Sequence, residues 1–163
     1  MYKAISVAKY IINYSNSINS PISNLKLQKL LYYVQAAFLV EDGKKCFDDE
    51  IVAWAFGPVV PEVYQVYRVC GRRNIPQQDD EKEAYLDLNE MKIAYRNVQS
   101  IKEHDACIIK RVVNAYAEVR NPYELVRKTH EESPWENTEI NEEINCNRIK
   151  QFYTENPKKI YSV

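Results

Sequence analysis

Apolar residues in the stretch 24–38 fall at Leu27, Leu30, Leu31, Val34, Ala37 and Phe38, the three- and four-residue steps that line one helical face. That spacing predicts a strongly amphipathic helix, capped by Ser23 or Asn24 and stopped at Gly43. Just beyond it, Ile51, Val52, Trp54 and Phe56 favour a half-buried pleated surface, so residues 50–56 read as a strand that ends at Gly57-Pro58. Pro58 pushes Gly57, and Pro61 pushes Val60, out of the right-handed helical region, which leaves residues 57–60 extended or turned. Helix resumes at Pro61, where a missing N–H costs nothing, and Glu62 suits the positive end of the helix dipole. Val63, Val66 or Tyr67, and Cys70 then face inward as far as Gly71.

The remaining elements follow from the same rules. Ala4, Ile5, Ala8, Ile11 and Ile12 mark a first helix, which the Asn/Ser-rich run 13–21 terminates. Residues 72–83, polar and holding Pro76, read as an exposed loop. A second strand over residues 84–88 is placed to pair with residues 50–56, and residues 89–98 form a short helix or ordered loop. From Ser100 or Lys102, a helix runs through Ala106, Ile109, Val112, Val113 and Tyr116. Asn121, Pro122 and Glu124 supply a cap, a first-turn proline and an acid three residues after the cap, starting a helix that reaches His130. Pro134 ends that region. A last helix begins near Asn141, presents Ile144, Ile149 or Arg148, Phe152 and Tyr153, and stops before Pro157. The expected fold is therefore mainly α, a single compact helical domain over 1–163 with its core at about 4–153, a tail at 157–163 and a small antiparallel hairpin-like sheet that needs helices behind it.

Composition narrows the functions open to such a domain. With 22 basic and 23 acidic residues the net charge is −1, so no polyanion-binding signal stands out, and Arg72-Arg73 is too small a basic cluster for a DNA-recognition helix. Cys46, Cys70, Cys107 and Cys146 are dispersed, with no CxxC pair and no grouping with His104 or His130, and read as reduced thiols, mostly in the core. No span approaches the roughly 20 apolar residues that cross a bilayer, and the N-terminus has no long apolar run, which points to the cytoplasm and away from a membrane. Gly43, Gly57 and Gly71 are the three glycines. Isolated at element ends, they cannot build a phosphate-cradling loop, so Walker-type and dinucleotide enzymes are set aside and no cofactor is implied.

Two groups carry potential chemistry. His130, with Thr129 before it and Glu131, Glu132 and Trp135 nearby, suggests either a catalytic or metal centre or an imidazole hydrogen-bonded to the loop backbone. A zinc site wants three or four converging ligands, and one histidine favours the second reading. No G-x-S-x-G elbow or local nucleophile–base arrangement is present. On the second helix, Gln28, Tyr32 and Gln35 share a face flanking the apolar stripe, with Lys29 and Tyr33 on the adjoining surface. They form either a polar pocket or the hydroxyl and carbonyl partners that a chain with 13 tyrosines requires, and the structural role is favoured.

These residues also carry a resemblance. Leu27-Gln28-Lys29-Leu30-Leu31-Tyr32-Tyr33 with Gln35-Ala36, then Ala53-Trp54, then Gly57-Pro58-Val59 with Pro61, Val63 and Tyr64, resemble the hallmark of the SocA-like Panacea domain. Thr129-His130 followed by Pro134-Trp135 is similar to that family's C-terminal signature. The resemblance covers roughly residues 4–153. It implies a bacterial or prophage-encoded antitoxin, a phage-associated type of protein, whose partner is a cognate toxin. Some similar proteins are adaptors that hand a toxin to a Clp-type protease. The rival from another class is a hydrolase that uses His130 and nearby acids to reverse a toxin's modification.

One further feature gains meaning from that partner. Residues 131–143 hold Glu131, Glu132, Glu136, Glu139, Glu142 and Glu143 without a single Lys or Arg. Such a run is either a solvated loop, with Glu142 and Glu143 stabilising the next helix's N-terminus, or an acidic surface that steers to a basic toxin cleft.

Overall fold

The computed structural model describes residues 1–79 and 81–162; Asp80, inside the expected loop, and Val163, at the end of the expected tail, lie outside the described residues. The fold is mainly α. Helices α1 (Ala4–Ser17), α2 (Asn24–Glu41), α3 (Pro61–Tyr67), α4 (Glu103–Ala115), α5 (Tyr123–His130), α6 (Ser133–Glu136) and α7 (Cys146–Glu155) surround two antiparallel strand pairs.

Helix α2 sits at the centre, and here the amphipathic expectation is corrected: every residue from Lys26 to Leu39 is buried. Helices α1, α4 and α7 pack against it, and the second arm of the hairpin, α3 and α5 close its remaining sides. A helix buried all round has to satisfy its polar side chains internally, and α2 does so by bonding to the main chain of its neighbours. The Ser23 hydroxyl caps it by accepting from Lys26 N–H. Gln28 Oε1 accepts from Val60 N–H at 2.9 Å. Two turns on, Gln35 Oε1 accepts from Cys46 and Phe47 N–H at 2.9 and 3.3 Å, and its Nε2 donates to the Phe47 carbonyl at 2.9 Å. One glutamine thus fixes the loop that leaves α2.

Strand β1 (Val52–Trp54) does not pair with residues 84–88. It turns back on itself and pairs with β2 (Gly57–Val59) in the register Val52↔Val59, Ala53↔Pro58 and Trp54↔Gly57, leaving Ala55 and Phe56 at the tip. The segment read as merely turned is therefore the second arm of a hairpin. Pro58 is admissible there because β2 is an edge, where no donor is required. The other edge of β1 is covered by residues 141–144: Asn141 N–H donates to Ala53 O, Ala53 N–H to Glu142 O and Ile144 N–H to Ile51 O. Those bonds correct the start of the last helix, which begins at Cys146 behind an Asn145 cap. Glu142 and Glu143 consequently lie against a strand rather than in a helix's first turn. Pro134 likewise ends nothing, since it occupies the first turn of α6.

Strand β3 (Lys82–Asp87) pairs instead with β4 (Lys92–Asn97), which overturns the helix or loop expected over 89–98. The ribbon leans on the body through buried Glu83, held by Arg96 across the pair at 2.7 Å. It turns Leu88, Met91, Ile93 and Tyr95 to solvent. With its apolar residues outward, the strand lacks the usual apolar-in, polar-out alternation that marks a half-buried strand in sequence. The Asn/Ser run does not stop α1 until Ser17. At the far end, Pro157–Ile160 is a short 3₁₀ turn that buries Ile160 in the core, so the tail is part of the packed structure. Cys46 is buried, Cys70 and Cys146 half-buried and Cys107 exposed, all as free thiols.

Candidate functional site

The signature residues, scattered over more than 100 positions, meet at one place beneath the hairpin. Helix α2 contributes Lys29 and, one turn later, Tyr33. The hairpin contributes Trp54, Gly57 and Pro58. The end of α5 contributes Thr129 and His130, and α6 contributes Trp135. Lys29, Thr129 and Trp135 are placed by bonds to main chain. Lys29 is fully buried and its Nζ donates to the Pro58 carbonyl at 2.9 Å. The Thr129 hydroxyl bonds back to the Leu125 and Val126 carbonyls at 3.0 and 2.9 Å. Trp135 Nε1 donates to the Trp54 carbonyl at 3.1 Å, and its indole stacks on His130 at 3.8 Å between centroids.

Gly57 explains how these parts come so close. Its φ is +97°, and a Cβ built there would lie 2.7 Å from Thr129 Oγ1 and 2.8 Å from Lys29 Cε. Only a residue without a side chain lets helix α2, helix α5 and the hairpin converge.

Below this layer lies a buried polar cluster that the sequence reading did not assemble. Glu132, expected on an acidic surface, is 2% exposed, which corrects its place in the acidic run. Its carboxylate accepts from Tyr153 Oη at 2.6 Å and Tyr33 Oη at 3.1 Å, and pairs with Lys128 Nζ at 2.6 Å. Lys128 also donates to Tyr33 Oη and to the Lys159 carbonyl. The rings of Tyr33 and Tyr116 stack at 4.9 Å, and Tyr153 packs edge-on to Tyr33. Burial, followed by the Glu132 charge, pushes the Tyr33 phenol well above its ordinary value; Tyr153 is raised too, by burial first. Both stay protonated and act as donors. The available signal was the four-residue step from Lys128 to Glu132 together with the large number of tyrosines needing partners.

The His130 imidazole is half-buried. Burial, followed by the nearby Lys29 charge, lowers its pKa below the usual value, while a hydrogen bond with the Ala55 backbone acts in the opposite direction. Glu132 faces the tyrosine cluster rather than this ring. The remaining acids, Glu131, Glu136, Glu139, Glu142 and Glu143, are exposed on the outer side of residues 131–143, with Arg148 reaching among them to the Asn137 carbonyl. Far from here, Asp42, His104 and Asp105 bring three potential ligand atoms within 4.8 Å of one another. Lys44 Nζ already lies 3.2 Å from Asp42 and 3.8 Å from Asp105, and Tyr2 donates to Asp105 at 2.6 Å. Both carboxylates thus already have partners within the chain.

Lys29 gives the site a pH signature. Burial lowers its pKa to about 7, against roughly 10.4 in an unfolded chain. Between those values the unfolded state binds the extra proton, so stability rises with pH, by at most about 1.4 kcal/mol per unit for this group. Below pH 7 both states carry the charge and the burial cost is present in full. Lys29→Met is expected to flatten the rise between about pH 7 and 9, read as the difference between wild-type and variant urea-unfolding energies at each pH.

A mainly helical domain clamped around this proline-punctuated hairpin defines a class. The sequence model of the family described as antitoxin SocA-like, Panacea domain, matches residues 27–136, and the chain belongs to that family. The matched span begins with Leu27 on α2 and ends just past Trp135, so it holds every residue of the constellation above. Among curated proteins, Antitoxin SocA of Caulobacter vibrioides (strain NA1000 / CB15N) is 36% identical over 86 residues, which are 53% of this chain and 46% of that protein. The match thus spans about half the length of that relative. No solved structure matches the chain. Among the described residues, no helix is long and apolar enough to cross a membrane.

Proposed function

We propose that this protein is the antitoxin of a toxin–antitoxin pair, a single Panacea-type unit acting in the cytoplasm, and that it neutralises its cognate toxin by binding it directly and without turnover. Membership of the antitoxin family over residues 27–136 carries the reading. The geometry supports it, because the signature side chains spend their hydrogen bonds on holding the hairpin and α5 to α2. Co-expression with a growth-arresting protein encoded beside it is the test. Rescue, together with inhibition of the purified toxin that titrates near one to one, is the expected result. Protection at substoichiometric amounts that is lost in a folded His130→Ala variant would make it an enzyme instead. Rescue that requires a Clp-type protease, with no inhibition between purified proteins, would make it a proteolytic adaptor.

The five exposed glutamates, Glu131, Glu136, Glu139, Glu142 and Glu143, are the surface we assign to steering a basic toxin face. Changing Glu136, Glu139, Glu142 and Glu143 to glutamine is expected to slow association about tenfold at low salt and to flatten its salt dependence. Stopped-flow binding across ionic strengths would read this, and an unchanged on-rate would remove these residues from the interface.

A further inference from the structure

A groove opens beside the hairpin tip, between the start of α2, the β1–β2 hairpin and α3. Leu25, Trp54, Phe56, Val59 and Tyr64 form its apolar walls, and Arg68 and Arg72 also line it. Its volume is about 290 Å³, at the lower limit of the roughly 300–1,000 Å³ of small-molecule sites. It has room for one or two side chains rather than a metabolite.

Two observations indicate what enters it. Phe56, at the tip, is 58% exposed, and it rests edge-on against Tyr123, itself 47% exposed, with centroids 6.2 Å apart. A hairpin turn needs no aromatic ring in water, so this pair is an exposed apolar patch continuous with the groove. The second is charge. Among the described residues, Arg68 and Arg72 take part in no ion pair, as is also true of Arg120 and Arg127, whereas Arg96 and Arg111 are each held by a glutamate and Arg73 is turned onto the Val69 and Cys70 carbonyls; what sets Arg68 and Arg72 apart is that both line an apolar groove. Unpaired guanidinium groups beside an apolar floor suit a carboxylate that follows an apolar side chain. Nucleic acid fits less well. Trp54 and Tyr64 are locked edge to face at 75°, which denies bases a pair of parallel platforms, and the chain's net charge is −1.

We propose that this groove is the docking seat for a segment of the partner protein that carries an aromatic or aliphatic side chain next to a carboxylate: the apolar group enters between Trp54, Phe56 and Tyr64, and the carboxylate pairs with Arg68 and Arg72. The partner's being the toxin rests on the function proposed above; the chemistry of the seat does not. The groove acts as an anchor that sets the dissociation rate, while the glutamates of residues 131–143 act on encounter.

The test pans a displayed random heptapeptide library on the full chain and measures recovered peptides by fluorescence polarisation. Enriched peptides should share an apolar residue adjacent to Asp or Glu. Phe56→Asp, and Arg68→Glu with Arg72→Glu, should each weaken them about tenfold or more with circular dichroism unchanged; all three positions are exposed, so folding is preserved. No enrichment, peptides without a carboxylate, equal binding to both variants, or displacement by a 15-nucleotide oligo-dT would each overturn the proposal. In cells, a wild type that neutralises the toxin alongside groove variants that neutralise it equally well would sink the groove and leave the function standing. A wild type that fails to neutralise while its peptides bind as described would do the reverse.

Discussion

Glu132→Ala is expected to lower the unfolding free energy by about 3–5 kcal/mol, the range for removing one partner of a buried ion pair. The variant strands more than one group. Lys128 loses its counter-charge, and the Tyr33 and Tyr153 hydroxyls lose the acceptor they share. Glu132→Gln keeps the shape and one acceptor oxygen but not the charge, and is expected to recover part of the loss. Combining Glu132→Leu with Lys128→Met removes both charges, and this double variant should be more stable than Glu132→Ala even though it still leaves two phenols unpaired. Urea unfolding of these proteins, together with the single variants Glu132→Leu and Lys128→Met that close the double-mutant cycle, measures this and gives the coupling energy. A loss below about 1 kcal/mol for Glu132→Ala, the size of an exposed pair, would show that the carboxylate is not sequestered.

The second large effect is expected at Gly57. Alanine there has to adopt a φ of +97° and place its methyl carbon inside the contact distance of Thr129 and Lys29. Backbone strain and overpacking each cost about 1–3 kcal/mol, and relief requires the Thr129 and Lys29 side chains to give up their present positions. Gly43→Ala is the internal control. Its φ is also positive, at +67°, but nothing lies within 4 Å of the added carbon, so only the backbone contribution of about 1 kcal/mol remains. Thermal unfolding of the two variants side by side separates convergence of three elements from ordinary turn chemistry; equal losses would mean that Gly57 is needed only for its backbone.

Local rules sufficed for some of this architecture and failed for the rest on identifiable grounds. Proline punctuation located α3 at Pro61, where a first-turn proline restricts the backbone whatever packs nearby, and placed the start of α5 to within a residue, Pro122 proving to be its cap and Tyr123 its first residue. Periodicity found α2 but gave it a solvent face it does not have. Lys29 and Gln35 look like surface residues in sequence, and only the hairpin carbonyl at Pro58 and the loop amides at Cys46 and Phe47 make their burial tolerable. Strand pairing was missed twice for the same reason. The partners of β1 are β2, too short to register as a strand, and residues 141–144, far away in sequence; β4 carries its apolar residues outward. Lys29, Trp54, Gly57 and Trp135, separate fragments of the family resemblance, share one site, whereas the Glu132–Lys128–tyrosine cluster has only the four-residue step from Lys128 to Glu132 as a local pattern and otherwise depends on distant elements meeting.

The hydrogen bonds from Ala53 to residues 141 and 142 set the order of events during synthesis. The hairpin holding the signature turn lacks its flanking strand until the last helix is about to be translated, and Glu132 lacks one of its phenol donors until Tyr153 has left the ribosome. Long-range closure of this kind is slow compared with local helix formation. The hairpin and the carboxylate beneath it therefore reach their final surroundings only after residues 141–153 have joined them.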